Sequence, residues 1–191
     1  ATVGFWLLLH SMARADAEHA RFLACGKSVN GFLKLYASAV KQAKSTGDYD
    51  GLLAFYSADF RSPSRGRWRL VPQDDSSDWE LSDLTITGDD SFEDRDALRE
   101  EFANYFGTFT AVDGLICKIN LIEHAEPDHR VVLTVKHVLD GRVQGVASSD
   151  MLVQDRFFFR WHLASDPGSE ATGGWKIVRD ELVEGVRVAG R

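Results

Sequence analysis

Apolar residues recur every three or four positions in the first half of the chain, which is the spacing of an amphipathic helix. A helix that starts at Ser28 or Asn30 and ends at Gly47 would have one apolar face, formed by Phe32, Leu35, Tyr36, Ala39, Val40 and Ala43. A second, shorter helix after Asp48 or Asp50 would carry Leu52, Leu53, Tyr56 and Phe60. A third over residues 94–109 would present Leu98, Phe102, Tyr105 and Phe109. We therefore predict about three helices in the first 110 residues.

The apolar period changes to two after residue 114, which predicts β-strands. Strands are expected over residues 114–122, 130–139, 142–163 and 175–188, the third of them bent near Ser148-Ser149. Asp140-Gly141 predicts a hairpin turn between the second and third of these. Two shorter strands, around residues 61–71 and 79–88, precede the third helix.

Helices followed by a run of strands indicate the α+β class rather than α/β. An antiparallel sheet with one covered face must bury that face under the helices. We expect a cone-shaped, curved antiparallel sheet packed against about three helices, with a pocket inside the cone. With 191 residues, residues 28–191 would form one domain.

Four stretches of the chain resemble the nuclear transport factor 2-like superfamily, over about residues 28–188. They are FLKLYASAVKQAKSTGDYDGLLAFYSADF, ALREEFANYF, VLTVKHVLDGRVQG, and FFFRWHLAS with GGWKIVRDELVEG. The superfamily includes SnoaL-like cyclases, ketosteroid isomerases, limonene-epoxide hydrolases and scytalone dehydratases. The resemblance implies the cone fold and no particular reaction. The isomerase pattern would place a catalytic Asp-Pro step where this chain has Ser62-Pro63, so the expected general base is absent there.

Residues 1–27 precede the predicted domain and allow two interpretations. The apolar run VGFWLLL, followed by the A-x-A pattern of residues 13–15, is typical of the end of a secretory signal with its cleavage site. This interpretation predicts an exported or periplasmic protein. Alternatively, residues 5–24 form an extra amphipathic helix packed on the domain, and the protein is cytoplasmic. A looser resemblance to N-terminal segments of large exported bacterial proteins predicts that the chain is part of a longer polypeptide.

Charge and cysteine content exclude several classes of function. The net charge of −7 argues against a general nucleic-acid binder, which needs a basic surface. Cys25 and Cys117 lack metal-binding spacing, so no metal site is predicted, and a disulfide between them requires export. No cofactor-binding motif is present. The apolar run is too short to span a bilayer.

Two ionisable residues lie at apolar positions of the predicted strands. His137 alternates with Val131, Leu133, Val135 and Leu139, and Asp155 alternates with Met151, Val153, Phe157, Phe159 and Trp161. Burial would shift the pKa of either group and could make it a general acid or base. A bend near Asp150 would instead leave Asp155 exposed. For His137 the alternative is a core histidine satisfied by one hydrogen bond.

Two hypotheses about function follow. In the first, the chain is a ligand- or protein-binding accessory module, with Tyr36, Tyr56, Phe159 and Trp161 contacting a small apolar ligand. A homodimer or a partner domain would then cover Phe158 on the opposite sheet face. In the second, it is a cofactor-independent isomerase, dehydratase or cyclase. Its base would be Asp155 or Asp150, with His137 as partner and a tyrosine hydroxyl as donor.

Overall fold

The computed structural model of the chain describes residues 2–63, 66–72, 83–86, 92–126, 129–144 and 149–189.

Helix α1 (Thr2–Thr46) is continuous, so the helix starts well before the Ser28 or Asn30 expected from the sequence. Of the α1 residues whose side chains are described, the buried ones are Cys25, Val29, Phe32, Leu33, Tyr36, Val40 and Ala43. It ends as predicted at Gly47, which has a positive φ of 72° and donates its N–H to Ala43 O.

Helix α2 (Asp50–Leu53) is a single turn, and strand β1 (Tyr56–Pro63) follows almost at once. Tyr56 and Phe60 therefore lie on a strand and not on the helix that their spacing predicted. The backbone explains the change, because Phe55 O accepts a hydrogen bond of 2.8 Å from Ile177 N in the last strand. Pairing with the sheet replaces the next helical turn.

Seven further strands and a third helix follow in the described chain. In chain order they are β2 (Gly66–Pro72), β3 (Asp83–Ile86), β4 (Phe92–Glu93), α3 (Arg95–Gly107), β5 (Phe109–Glu126), β6 (Arg130–Gln144), β7 (Asp150–Ser165) and β8 (Trp175–Ala189). The main path of the sheet is β3-β2-β8-β7-β6-β5, and β1 pairs with both β4 and β8. The predicted α+β cone is confirmed, with a curved sheet that does not close.

The sheet is mixed, which corrects the prediction of a purely antiparallel one. β5, β6, β7 and β8 are antiparallel neighbours, but β1 and β2 both run parallel to β8. A parallel pair needs a long crossover between its strands. Here α3 and three long strands separate β2 from β8, so the chain has ample length to return in the parallel direction.

The predicted hairpin at Asp140-Gly141 is wrong. β6 continues to Gln144, which pairs with Asp150 at the start of β7, so the chain reverses between these two residues. Residues 145–148, including Ser148 of the predicted bend, lie outside the described residues. Gly141 has another role: a Cβ there would lie 2.7 Å from both Ala111 O and the Phe109 ring. Glycine permits close approach of β5 to β6.

The core lies between α1 and the inner face of the long strands. Phe32 of α1 packs edge-on against Trp161 of β7, with ring centroids 6.2 Å apart, and also against Phe55 at 5.4 Å. Cys25 and Cys117 do not form a disulfide. Among the described residues, no helix is both long and apolar enough to cross a membrane.

We expect Gly141→Ala to destabilise the fold by roughly 1–3 kcal/mol, since the added methyl overlaps backbone and ring atoms. Gly114→Ala is the matched control, because the nearest atom to its new Cβ is Asp140 Oδ2 at an ordinary 3.8 Å. Urea denaturation followed by circular dichroism measures both. Equal effects of the two substitutions would show that β5 and β6 do not require a glycine at position 141 to approach each other.

Candidate functional site

The long strands bring His137 and Asp155 to the same inner face of the sheet. His137 pairs with Cys117 of β5 and Phe157 of β7, and Leu139, two residues along β6, pairs with Asp155. His137 is 6% exposed and Asp155 is fully buried. The bend that would have exposed Asp155 is absent from the described strand β7.

Two tyrosine hydroxyls meet next to this histidine. Tyr36 on α1 and Tyr56 at the start of β1 are both buried, and their hydroxyl oxygens are 3.0 Å apart. Burial raises the pKa of both groups well above the usual value, so both stay protonated. One hydroxyl donates to the other, which leaves a second proton available to an acceptor.

His137 is enclosed by aromatic rings. Its ring centroid lies 5.0 Å from Phe159, 5.1 Å from Trp161 and 5.7 Å from Tyr36. Burial lowers the pKa of His137 to about 3, so the imidazole is neutral at physiological pH. Its Nε2 atom is buried and makes no hydrogen bond within the described part of the chain.

Trp161 and Asp180 face each other across β7 and β8. Asp180 retains partial exposure as a residue, but its carboxyl group is enclosed, and this burial raises the pKa of Asp180 to about 7. The Trp161 indole favours the charged form of Asp180, whereas Glu181 disfavours it. The indole Nε1 atom does not reach hydrogen-bond geometry with any described residue. The charge of Asp180 also contributes to the raised pKa values of Tyr36 and Tyr56.

Sequence reasoning missed Asp180 because of an irregularity in β8. Leu163 pairs with Ile177 and His162 with Arg179, so Val178 is an extra residue that shifts the register. Strict alternation from Trp175 and Ile177 would turn Asp180 outward. The bulge reverses the alternation and turns it inward, opposite Trp161. No signal in the sequence marks this bulge.

Asp155, in contrast, is held in a buried ion pair. Arg187 Nε donates to Asp155 Oδ1 at 2.7 Å, and Arg187 Nη2 donates to Oδ2 at 2.8 Å. The Tyr105 hydroxyl donates to Oδ2 at 2.7 Å, and Arg187 lies over the Phe109 ring. Hydrogen bonding to Asp155 raises the pKa of Arg187. Both carboxylate oxygens are thus engaged, and Asp155 links β7, β8 and α3.

The other predicted residues occupy different surroundings. Asp150 is exposed at the start of β7, where it accepts a hydrogen bond of 3.1 Å from Thr110 Oγ1. The structure does not bring it to the inner group. Phe159 is partly exposed and stacks on Phe157 at 5.4 Å and on Trp161 at 6.3 Å. It forms a wall beside His137.

We call Tyr36, Tyr56, His137, Trp161 and Asp180 the inner polar cluster. It offers neutral hydroxyl and indole donors, a neutral imidazole, and one acid that titrates near pH 7. The thiol of Cys117 lies nearby, and burial raises its pKa to about 12, so it stays protonated. Among the described residues, no group of three or more His, Cys, Asp or Glu side chains could hold a metal ion. The groups of the cluster are of the types that make hydrogen bonds and transfer protons.

On the outer face of the sheet, charged side chains form a ladder. Arg160 pairs with Glu123 at 2.7 Å and lies 3.6 Å from Glu181, which also pairs with Arg179. Phe158 is partly buried, with the Lys136 ammonium 5.7 Å from its ring centroid. A homodimer or partner domain on this face stays a prediction.

Solved structures share this arrangement of helices and sheet. A proposed scytalone dehydratase from Novosphingobium aromaticivorans aligns over 86% of this chain and 86% of its own, with 14% identity and a TM-score of 0.50. The Kfla4162 protein from Kribbella flavida aligns over 82% of this chain and 88% of its own, with 9% identity and a TM-score of 0.50. This chain has the nuclear transport factor 2-like fold. No protein-family model and no curated protein matches it.

We expect Arg187→Met to cost roughly 3–5 kcal/mol of stability, because it leaves the Asp155 carboxylate buried without its cation. Arg142→Met is the control: Arg142 pairs with Asp113 at 3.3 Å, both side chains are about half exposed, and the expected cost is under about 1 kcal/mol. Chemical denaturation near neutral pH measures both. The double variant Arg187→Met/Asp155→Leu should recover part of the loss. A small effect of Arg187→Met would contradict the ion pair.

Proposed function

We propose that the inner polar cluster binds a small, neutral, largely apolar molecule that carries a carbonyl or hydroxyl oxygen. The observation behind this proposal is a buried polar atom, His137 Nε2, that makes no hydrogen bond to any described residue. Buried polar groups in proteins almost always have a partner, because an unsatisfied one costs about 1–3 kcal/mol. A ligand oxygen would supply that partner.

The surroundings favour an aromatic or aliphatic body for the ligand. Phe157 and Phe159 on β7 and Phe102 on α3 all keep partial exposure, so apolar rings remain accessible beside the cluster. Apolar walls with a few fixed polar groups are typical of small-molecule sites. The Tyr36–Tyr56 pair would donate to the ligand oxygen, as the enclosed hydroxyls remain protonated.

The charges favour a neutral ligand over an anion. The inner polar cluster contains no cation, and Arg187 of the inner face is bonded to Asp155. An anion would also meet Asp180, which is partly ionised near pH 7. Bringing two negative charges together in an enclosed site is unfavourable.

Thermal-shift and calorimetric titration with three related probes tests this binding. Acetophenone should stabilise the protein, whereas α-methylstyrene, its isostere without the oxygen, and benzoate, an anion, should bind much more weakly. Tyr36→Phe or Tyr56→Phe should weaken acetophenone binding roughly fivefold, as expected for a hydrogen bond of about 1 kcal/mol. Tyr49→Phe is the control, because Tyr49 stacks on Phe106, outside the cluster. Equal binding of all three probes would overturn the proposal.

Asp180 supports a second candidate, a cofactor-independent enzyme that transfers protons. A general base works best when its pKa lies near the working pH, and burial brings that of Asp180 to about 7. Beside it, the Tyr36 and Tyr56 hydroxyls could stabilise an enolate oxygen that forms when a ligand loses a proton next to its carbonyl. An isomerase, dehydratase or cyclase would share this step. Asp180, rather than Asp155 or Asp150, would be its base.

Deuterium exchange into the methyl group of acetophenone, followed by NMR in D2O, tests the second candidate. The rate should rise as the pH passes through about 7, because only the carboxylate form of Asp180 accepts a proton. Asp180→Asn should abolish the catalysed exchange. Asp113→Asn, at an exposed site near the start of β5, should leave it unchanged. Exchange that persists in Asp180→Asn would exclude this base. Binding without any exchange would overturn the enzyme hypothesis and leave ligand binding as the function.

A further inference from the structure

The first part of α1 extends beyond the domain. The side chains described between Arg14 and Ala24 are all exposed, including Phe22 at 43% and Leu23 at 54%. Cys25 is the first residue of the chain that the structure shows buried in the core. At about 1.5 Å per residue, residues 14–24 extend roughly 17 Å past the first core contact.

A helix without tertiary contacts is only marginally stable in water. Within this extension, the one side-chain contact described is the exposed Arg14–Glu18 pair at 3.2 Å, which contributes little. An extra helix packed on the domain would instead show a buried face between residues 14 and 24, and none is present there. Residues 16–24 can therefore unwind without disturbing the described core.

The sequence of this extension has the order of a secretory leader. An apolar run, VGFWLLL at residues 3–9, is followed by small residues at Ala13 and Ala15 and then by the polar Asp16. Signal peptidases need small side chains at the first and third positions before the cut, after an apolar segment. A protease also needs an extended substrate, which a helix of marginal stability readily supplies.

We infer that the bond between Ala15 and Asp16 is a signal-peptidase cleavage site, and that cleavage there releases a domain that keeps its described core. Water adds across this peptide bond, which leaves the new carboxyl group on Ala15 and a free amino group on Asp16. The released chain keeps every residue of α1 that the structure describes as buried, because the first of these is Cys25. Export of the domain follows from this processing. The inference is independent of the ligand proposed above.

The test incubates the purified chain, residues 1–191, with a signal peptidase in detergent micelles, and reads the product by intact mass and N-terminal sequencing. We expect one new N-terminus at Asp16. Ala13→Asp and Ala15→Asp should each block cleavage, because the protease pockets accept only small side chains. Ala17→Asp is the matched control, since it introduces the same charge after the cut and should be processed at the original rate.

A chain that begins at Asp16 should unfold at the same temperature as the full chain, because the removed residues contribute no described core contact. Two groups of results would overturn the inference. One is an absence of cleavage, cleavage at another bond, or unchanged cleavage in Ala13→Asp and Ala15→Asp. The other is a clear loss of thermal stability in the shortened chain.

Discussion

The register of β7 against β8 decides which charged side chains enter the cone. One extra residue, Val178, turns Asp180 toward Trp161, and a second shift between Phe158 and Phe159 resets the alternation so that Arg187 faces Asp155. A single slip in a sheet moves every following side chain to the other face. The two bulges of β8 therefore supply both an enclosed acid and the cation that neutralises the other acid. The site depends on these shifts more than on any one residue type.

The two inner acids differ because of what surrounds them. Asp155 accepts hydrogen bonds from Arg187 and Tyr105, so its charge is compensated where it lies. Burial and Glu181 raise the pKa of Asp180, and the Trp161 indole lowers it. Neither Trp161 nor Glu181 is a cation. Two carboxyl groups in such unlike surroundings take different roles in proteins, one structural and one available for proton exchange. The geometry assigns the structural role to Asp155.

Local patterns predicted much of this architecture, and long-range pairing explains what they missed. The helical stripes and the period-two strands follow from neighbouring residues alone. Gly141 was misinterpreted because its local sequence resembles a turn, while the constraint on it comes from Phe109 and Ala111 on β5. Asp180 was missed because a bulge is set by pairing with β7. Local sequence carries neither piece of information.

The position of His137 could be predicted from the alternation of side chains along β6, but its role could not. Alternation along β6 places His137 on the apolar face, and the structure buries it there among Tyr36, Phe159 and Trp161. The sequence left two alternatives, a core histidine with one hydrogen bond or a partner in chemistry. Its Nε2 makes no hydrogen bond within the described part of the chain, and the Asp155 carboxylate is bonded to Arg187, so His137 is not the partner of Asp155. Alternation along β6 therefore predicts where His137 lies, whereas the partner of Asp155 is set by the pairing of β7 with β8.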